Sequence, residues 1–395
     1  MRQEHIIKIL QEPVDIPDIV QERAQEAFAA IHQERQRQNR REVPGSRRKS
    51  RKRLWLTAAA AAVLVGTVSV GAAVYQRWWS KGLEETLHAS EEQMQEMDGN
   101  GVSSAINQAV TDQGVTITAV QSIVDNYYAH LAFKVEGFDL PEGAEPAIEK
   151  IEVTVDGENE VNWVGGFYDG LVAGEDGNPV YSNGEAFPGD GSVTPVYVDE
   201  DGSLEFQLTL EGGETPGNLL GRQVQVKFVN LGMYEEKEFV SAQEGRWEFN
   251  WILQGTDQTR ACSLDTALGE SGVTVREVEI SPISLKAVLE IPEEKYGAQG
   301  KGEESAGLPE APGLSGVVLK DGTTYPYLFL GPGFMSEQDG RTVTSFAIDR
   351  ILDVEQVDNL LFTKEMIPGE NTFAQNESED ELPLEDRFYV VPLES

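Results

Sequence analysis

Between Leu54 and Tyr75 the chain runs for 22 residues without a charged side chain. As a helix such a run reaches roughly 33 Å, against a hydrocarbon core of about 30 Å, and so predicts a single membrane span dividing the protein between two compartments. Its flanks are unequal. Residues 34–53 hold ten Lys or Arg against two Glu, whereas Arg77 and Lys81 alone precede the acidic remainder on the other side. The positive-inside bias therefore places the N-terminus in the cytoplasm and everything after Tyr75 outside. Trp55 at one end, and Trp78 with Trp79 at the other, stand where interfacial aromatic residues are expected. A cleaved signal peptide carries an apolar stretch of about 7 to 15 residues after a short basic region. Here 53 residues come first, and no small-x-small exit follows, which favours a retained single-pass anchor over a cleaved signal or a buried helix.

Charge follows the same division. The net charge of −37 splits into +7 for residues 1–81 and −44 for residues 82–395. An exterior so acidic is repelled by nucleic acid and by anionic lipid and stays soluble. Cys262 is the one cysteine, so no intrachain disulfide exists, and the reading is a small inert side chain rather than a nucleophile.

The segment "VDIPDIVQERAQEAFAAIHQERQRQNRR" from Val14 predicts a cytoplasmic helix capped at Asp15, with Pro17 in its first turn. Ile16, Val20, Ala24, Phe28 and Ile31 form one apolar stripe on an otherwise charged surface. Fewer than 55 residues lie on this side, too few for a core of their own, so the stripe needs something to cover it. It either packs on itself or the membrane surface, or docks into a groove of a cytosolic protein. The basic residues Arg47, Arg48, Lys49, Arg51, Lys52 and Arg53 orient the span and meet anionic headgroups. DNA binding is disfavoured because no folded motif accompanies the charge. Within the span, Ala58, Ala62 and Gly66 share a face that permits close pairing of two copies as a homodimer.

After a polar stalk the exterior is β-patterned to its end, and it repeats. "GVTITAVQSIVDNYYAHLAFKV" from Gly114 and "GVTVREVEISPISLKAVLEI" from Gly272 both alternate apolar and polar residues and then slip phase by one. The shared slip predicts equivalent β-bulges near Ala119 and Glu277, with Val115 matched to Val273. "IEVTVDGENEVNWVGG" and "GVVLKDGTTYPYLFLG" share an Asp-Gly turn, at Asp156 and Asp321, and "RWEFNWIL" matches "RFYVVPL" as a closing strand. The expected organisation is mainly β: a cytoplasmic helical segment (1–53), a transmembrane helix (54–75), a stalk (76–104), and two tandem β-sandwich modules, 105–255 and 256–395. A long Gly- and Asp-rich loop at 167–203 and the loop "GAQGKGEESAGLPEAPG" at 297–313 read as flexible surface insertions.

Catalytic signatures do not appear. The four His are scattered, and no Cys/His ligand cluster, phosphate loop or G-x-S-x-G elbow exists, so no enzyme, cofactor or metal is expected. "DEDGS" at Asp199–Ser203 has only part of a calcium loop and reads as a hairpin tip.

"IPDIVQERAQEAFAAI", the basic-flanked span, and "SSAINQAVTDQGVTITAVQSIVDNYYAHLAFKVEG" together resemble a family of Firmicutes membrane proteins of unknown function described as anti-sigma factors. The segment from Gly272 is similar to an immunoglobulin-like domain of unknown function that often follows. The resemblance implies a membrane-held anti-sigma factor that binds an extracytoplasmic-function sigma factor through Ile16, Val20, Ala24, Phe28 and Ile31 and senses an envelope signal outside. The chain departs from other anti-sigma factors in lacking a Cys/His zinc motif and a multi-helix domain. The rival expectation is a surface-anchored adhesion or cell-wall-binding protein whose cytoplasmic helix only anchors.

Overall fold

The computed structural model describes residues 79–141, 143–158, 161–174, 178–188, 195–212, 218–235, 238–297, 310–330, 333–364 and 383–393. The expected cytoplasmic helix with Ile16 to Ile31, the basic residues 47–53 and the apolar run with Ala58, Ala62 and Gly66 lie outside these. Among the described residues no helix is long and apolar enough to cross a membrane.

The described chain is mainly β, built of several antiparallel sheets. Its first strands are β1 (Ser103–Asp112), β2 (Val115–Val124), β3 (Tyr128–Glu136), β4 (Glu145–Val155), β5 (Asn162–Phe167), β6 (Leu171–Ala173) and β7 (Pro179–Tyr181). Then come β8 (Leu204–Glu211), β9 (Gln223–Glu235) and β10 (Glu238–Ile252). They form a five-stranded sheet β1-β2-β3-β8-β5, a three-stranded sheet β10-β9-β4 and the small hairpin β6-β7. Alternation decides the packing: Leu204, Phe206, Leu208 and Leu210 of β8 and Val224, Val226 and Phe228 of β9 turn inward to one shared core. Phe133 sits at its centre, edge-on to Phe228 with ring centroids 4.9 Å apart.

The pattern then recurs. β11 (Arg260–Ala267), β12 (Thr274–Ile280), β13 (Ser284–Glu290), β16 (Phe334–Gln338) and β17 (Arg341–Ala347) form a sheet in the order β11-β12-β13-β17-β16. β14 (Leu314–Leu319), β15 (Thr324–Tyr325), β18 (Val357–Thr363) and β19 (Phe388–Pro392) form its partner, β15-β14-β18-β19. Strand for strand this is the order of the first pair, with β15 added at the edge. The second pair has a core of its own, including Val275, Val278, Leu285, Phe346, Leu360 and Phe362.

Both expected bulges occur. The β2–β3 register skips between Ala119 and Gln121, and the β12–β13 register skips between Val275 and Glu277. Aligning them sets Ala119 on Val275 and Ile117 on Val273, so the expected match of Val115 to Val273 is displaced by two residues. Apolar alternation continues one repeat further in β2 before the slip, which is why the sequence pattern misplaced the register. The two Asp-Gly turns also differ. Asp156 (φ 52°) and Gly157 (φ 81°) both take the left-handed conformation of a tight hairpin, whereas at Asp321-Gly322 only Gly322 (φ 89°) does. After the first turn β5 crosses to pair with β8; after the second, β15 stays on β14.

Where a polar stalk was expected, residues 80–100 fold into two short helices, α1 (Lys81–Thr86) and α2 (Glu91–Gly99). Ser90 and Gln93 close a capping box at the start of α2. Leu83, Leu87, Met94 and Met97 are buried against Ile123 and Tyr128 of the first sheet pair and Ile283, Ala347 and Ile351 of the second. Four apolar side chains at these spacings, absent from the stalk reading, are what hold the segment down.

Candidate functional site

The segment that leaves the expected span is anchored within a few residues by a buried polar cluster. Trp79 donates its indole N–H to Asp98 Oδ1 at 2.9 Å, and Ser80 N donates to Gln121 Oε1 at 2.9 Å. Ser80 Oγ donates to Glu205 Oε1 at 2.5 Å, and Gly82 N donates to Glu205 Oε2 at 2.8 Å. Gln207 Nε2 is the third donor to this carboxylate, reaching Oε1 at 3.0 Å. A Cβ at Gly82 would stand 2.5 Å from both Glu205 Oε1 and Gln207 Nε2, so those side-chain ends would have to shift. Burial pushes the Glu205 carboxyl above its ordinary value, and the donors from Ser80, Gly82 and Gln207 oppose that shift.

Glu205 was not singled out in the sequence, and its position explains why. In "LEFQLTLE" the charged and polar residues alternate with Leu204, Phe206, Leu208 and Leu210, which reads as an outer face in water. Instead α1 covers that face, and Glu205 and Glu211 are both buried. Glu211 Oε1 has no partner among the described residues, and burial lifts its pKa to about 7. His130, on the neighbouring strand, bonds Thr209 Oγ1 at 3.0 Å, and burial lowers it to about 4, so it is neutral.

The insertion after β5 closes over the other side of α1. Tyr168 OH donates to Glu85, Lys81 pairs with Asp199 at 3.0 Å, and His88 Nε2 lies 2.9 Å from Ala173 O. Between them is an open cleft of about 310 Å³, bordered by Tyr168, Tyr181, Tyr197, Glu185 and Glu205. Asp199–Ser203 forms the expected hairpin tip, with Gly202 N donating to Asp199 O and Asp201 holding Ser203 and Lys134. Among the described residues no group of His, Cys, Asp and Glu is placed to hold a metal.

A second buried cluster joins the two sheet pairs. The β2–β3 turn and the β12–β13 turn occupy equivalent places, and they meet. Asp125 Oδ1 accepts from Tyr127 N (2.8 Å) and Tyr128 N (2.7 Å), as Ser281 Oγ accepts from Ile283 N (3.2 Å) and Ser284 N (2.9 Å). Across the junction Asp125 Oδ2 accepts from Ser281 Oγ and, at 2.5 Å, from Ser284 Oγ. Tyr127 OH donates to Glu279 (2.7 Å), and Lys286 Nζ reaches both Glu279 (2.9 Å) and Tyr127 (3.0 Å). The helices bridge the same seam, since Gln93 Nε2 donates to Ile351 O at 2.9 Å and Ile351 N to Leu87 O at 3.2 Å. Residues 79–102, the first sheet pair and the second therefore share a third apolar cluster, beside the core of each pair, and a set of polar bonds across the seam.

Residues 47–137 match a family described as a domain of unknown function, DUF4179. No curated protein matches the chain. Among solved structures, the conserved domain protein from Bacillus anthracis is similar at 14% identity, over 67% of this chain and 80% of that chain, with a TM-score of 0.39. The C-terminal domain of the AgI/II polypeptide BspA from Streptococcus agalactiae is similar at 11% identity over 62% and 91%, with a TM-score of 0.12.

Proposed function

We propose that the chain is a single-pass membrane anti-sigma factor. Its cytoplasmic helix holds an extracytoplasmic-function sigma factor through Ile16, Val20, Ala24, Phe28 and Ile31, and its exterior, two tandem immunoglobulin-like β-sandwiches, senses an envelope signal. The reading rests on the uncovered apolar stripe on the cytoplasmic side of an uncharged 22-residue run. Two features support it. The match to the family of unknown function begins at residue 47, in the basic flank, and ends at residue 137, so it treats the expected span and the first three exterior strands as one unit. The chain after Tyr75 is bonded to the exterior core from Trp79 onward, so a change outside has a short mechanical path to the span.

Burying Phe28 in a partner groove contributes roughly 2 kcal/mol, so Phe28→Asp in the full chain is expected to weaken sigma-factor binding at least tenfold. Transcription from the sigma factor's promoters then rises without envelope stress. Unchanged co-purification and unchanged transcription in that variant would leave the helix as an anchor only and favour a surface adhesion or wall-binding protein.

A further inference from the structure

The edge of the first five-stranded sheet is unlike the rest of the exterior. β5 reads Asn162-Trp163-Val164-Gly165-Gly166-Phe167, six residues without a charge or a proline in an exterior of net charge −44. It pairs with β8 on one side only, and among the described residues no backbone hydrogen bond reaches its other side. Trp163 is 37% exposed and Val164 40% exposed. Natural sheets blunt such edges with lysine, proline or a covering loop, because an open uncharged edge recruits another strand.

The two glycines separate internal from external demands. Gly165 is explained within the chain, since a Cβ there would stand 2.5 Å from the Leu208 side chain. Gly166 is not: nothing lies within 4 Å of its absent Cβ, and no left-handed backbone calls for it. A strand-interior glycine weakens a strand and commonly marks the close approach of another backbone.

We propose that β5 is a dimer interface, pairing antiparallel with β5 of a second copy of this chain. Two-fold pairing keeps the faces of both sheets aligned, so partners across the axis share a face. Centring the axis on Gly165 sets Val164 opposite Gly166 of the other copy and Trp163 opposite its Phe167. The bare position of each strand then receives a β-branched side chain, and two aromatic pairs flank a glycine centre. The sequence of β5 is complementary to itself in this register. A charged foreign strand finds no counter-ion on it, whereas a second copy needs none. This inference stands on β5 alone and is independent of the anti-sigma reading. It places an interface outside the membrane, distinct from pairing through Ala58, Ala62 and Gly66.

One short strand pair is smaller than the interface of a tight soluble dimer, so the contact is weak in dilute solution and strengthened when copies are concentrated in a membrane. The acidic exteriors repel one another, so association tightens as salt rises, the opposite of a charge-driven contact.

The test uses the full chain in detergent micelles, with Cys262→Ser as background. Val164→Cys and Gly166→Cys chains are made separately, and mild oxidation is applied to each alone and to a mixture. The expected result is a disulfide-linked dimer several-fold more abundant in the mixture than in either alone. In sedimentation, Trp163→Lys is expected to weaken association at least tenfold with unfolding temperature unchanged, because this side chain is at the exposed edge. Equal cross-linking in all three samples, or association unaffected by Trp163→Lys and weakened by added salt, would overturn the proposal.

Discussion

The two sheet pairs share a strand order but not a surface chemistry, and the difference sets the first pair apart. With the bulges aligned, the position of Gln207 on β8 becomes Val343 on β17, that of Glu211 becomes Ala347, and that of His130 becomes Lys286. The first pair thus places buried or half-buried polar and titratable groups where the second has apolar residues or a paired lysine. Those groups lie on the face that α1 covers. The same strand order meets the preceding chain through polar groups of β8 in the first pair and through Ile283, Ala347 and Ile351 in the second. The turns show the converse. Asp125 and Ser281 sit in equivalent turns and perform the same local capping, and their meeting across the seam turns a repeat into one folded unit.

The largest expected effect comes from breaking that meeting. Asp125→Ala strips the partner from two buried serine hydroxyls and two backbone N–H groups at once. A loss on the order of 3 kcal/mol in unfolding free energy is expected by denaturant titration. Asp125→Asn, which keeps the shape and an acceptor, should lose clearly less.

Glu205→Ala comes next. It removes the acceptor for Ser80 Oγ, Gly82 N and Gln207 Nε2, and a loss of about 2 kcal/mol is expected. The sharper readout is regional: protease cleavage between residues 76 and 100 should rise while β12 and β13 stay protected. Gly82→Ala should reproduce the regional effect, because its Cβ displaces the same carboxylate.

The third test separates the pairs by pH. Glu211 is held near pKa 7 in the folded chain. A carboxyl raised above its unfolded value stabilises while protonated, and that contribution is lost as pH rises from about 4.5 through 7. Glu211→Gln should therefore be more stable than the parent at pH 8, by an amount on the order of 2 kcal/mol, with no gain at pH 4. His130 works in the other direction. Its pKa is lowered to about 4, so its contribution is lost as pH falls from 6.5 through 4. Readings above pH 6.5 exclude His130, and the difference between parent and Glu211→Gln cancels the other raised carboxyls, Glu205 and Asp125.

The smallest effect is expected from Tyr168→Phe, which removes one half-buried hydrogen bond to Glu85 at a cost below about 1 kcal/mol. Thermal unfolding should barely move, while amide exchange in α1 should rise.

The sequence was legible where one face decides the pattern. Alternation marked the core strands, and the phase slips marked both bulges, because a buried face punishes a wrong register. Legibility failed where a third element intervenes. Glu205 and Gln207 alternate as though solvated, and only the tertiary placement of α1 buries Glu205 and half-buries Gln207. Leu83, Leu87, Met94 and Met97 were hidden in a strongly acidic stretch, although Ser90 and Gln93 carry a readable capping box. Asp125 followed by Asn126 reads as a turn, and nothing local tells that its second oxygen meets Ser281 and Ser284 more than 150 residues away.

The central claim is that residues 79–102 are bonded into the core of the sheet pairs rather than hanging as a stalk. Amide hydrogen exchange of the full chain in lipid nanodiscs tests it most directly. The account predicts that the amides of Ser80, Gly82, Leu87 and Met94, each hydrogen-bonded in the fold, exchange as slowly as the edge strands of the first sheet pair. It also predicts that Glu205→Ala releases the Gly82 amide, which donates to that carboxylate, before the Ser80 amide, which donates to Gln121. Exchange of residues 80–100 at the rate of an unfolded peptide in the parent chain would contradict it.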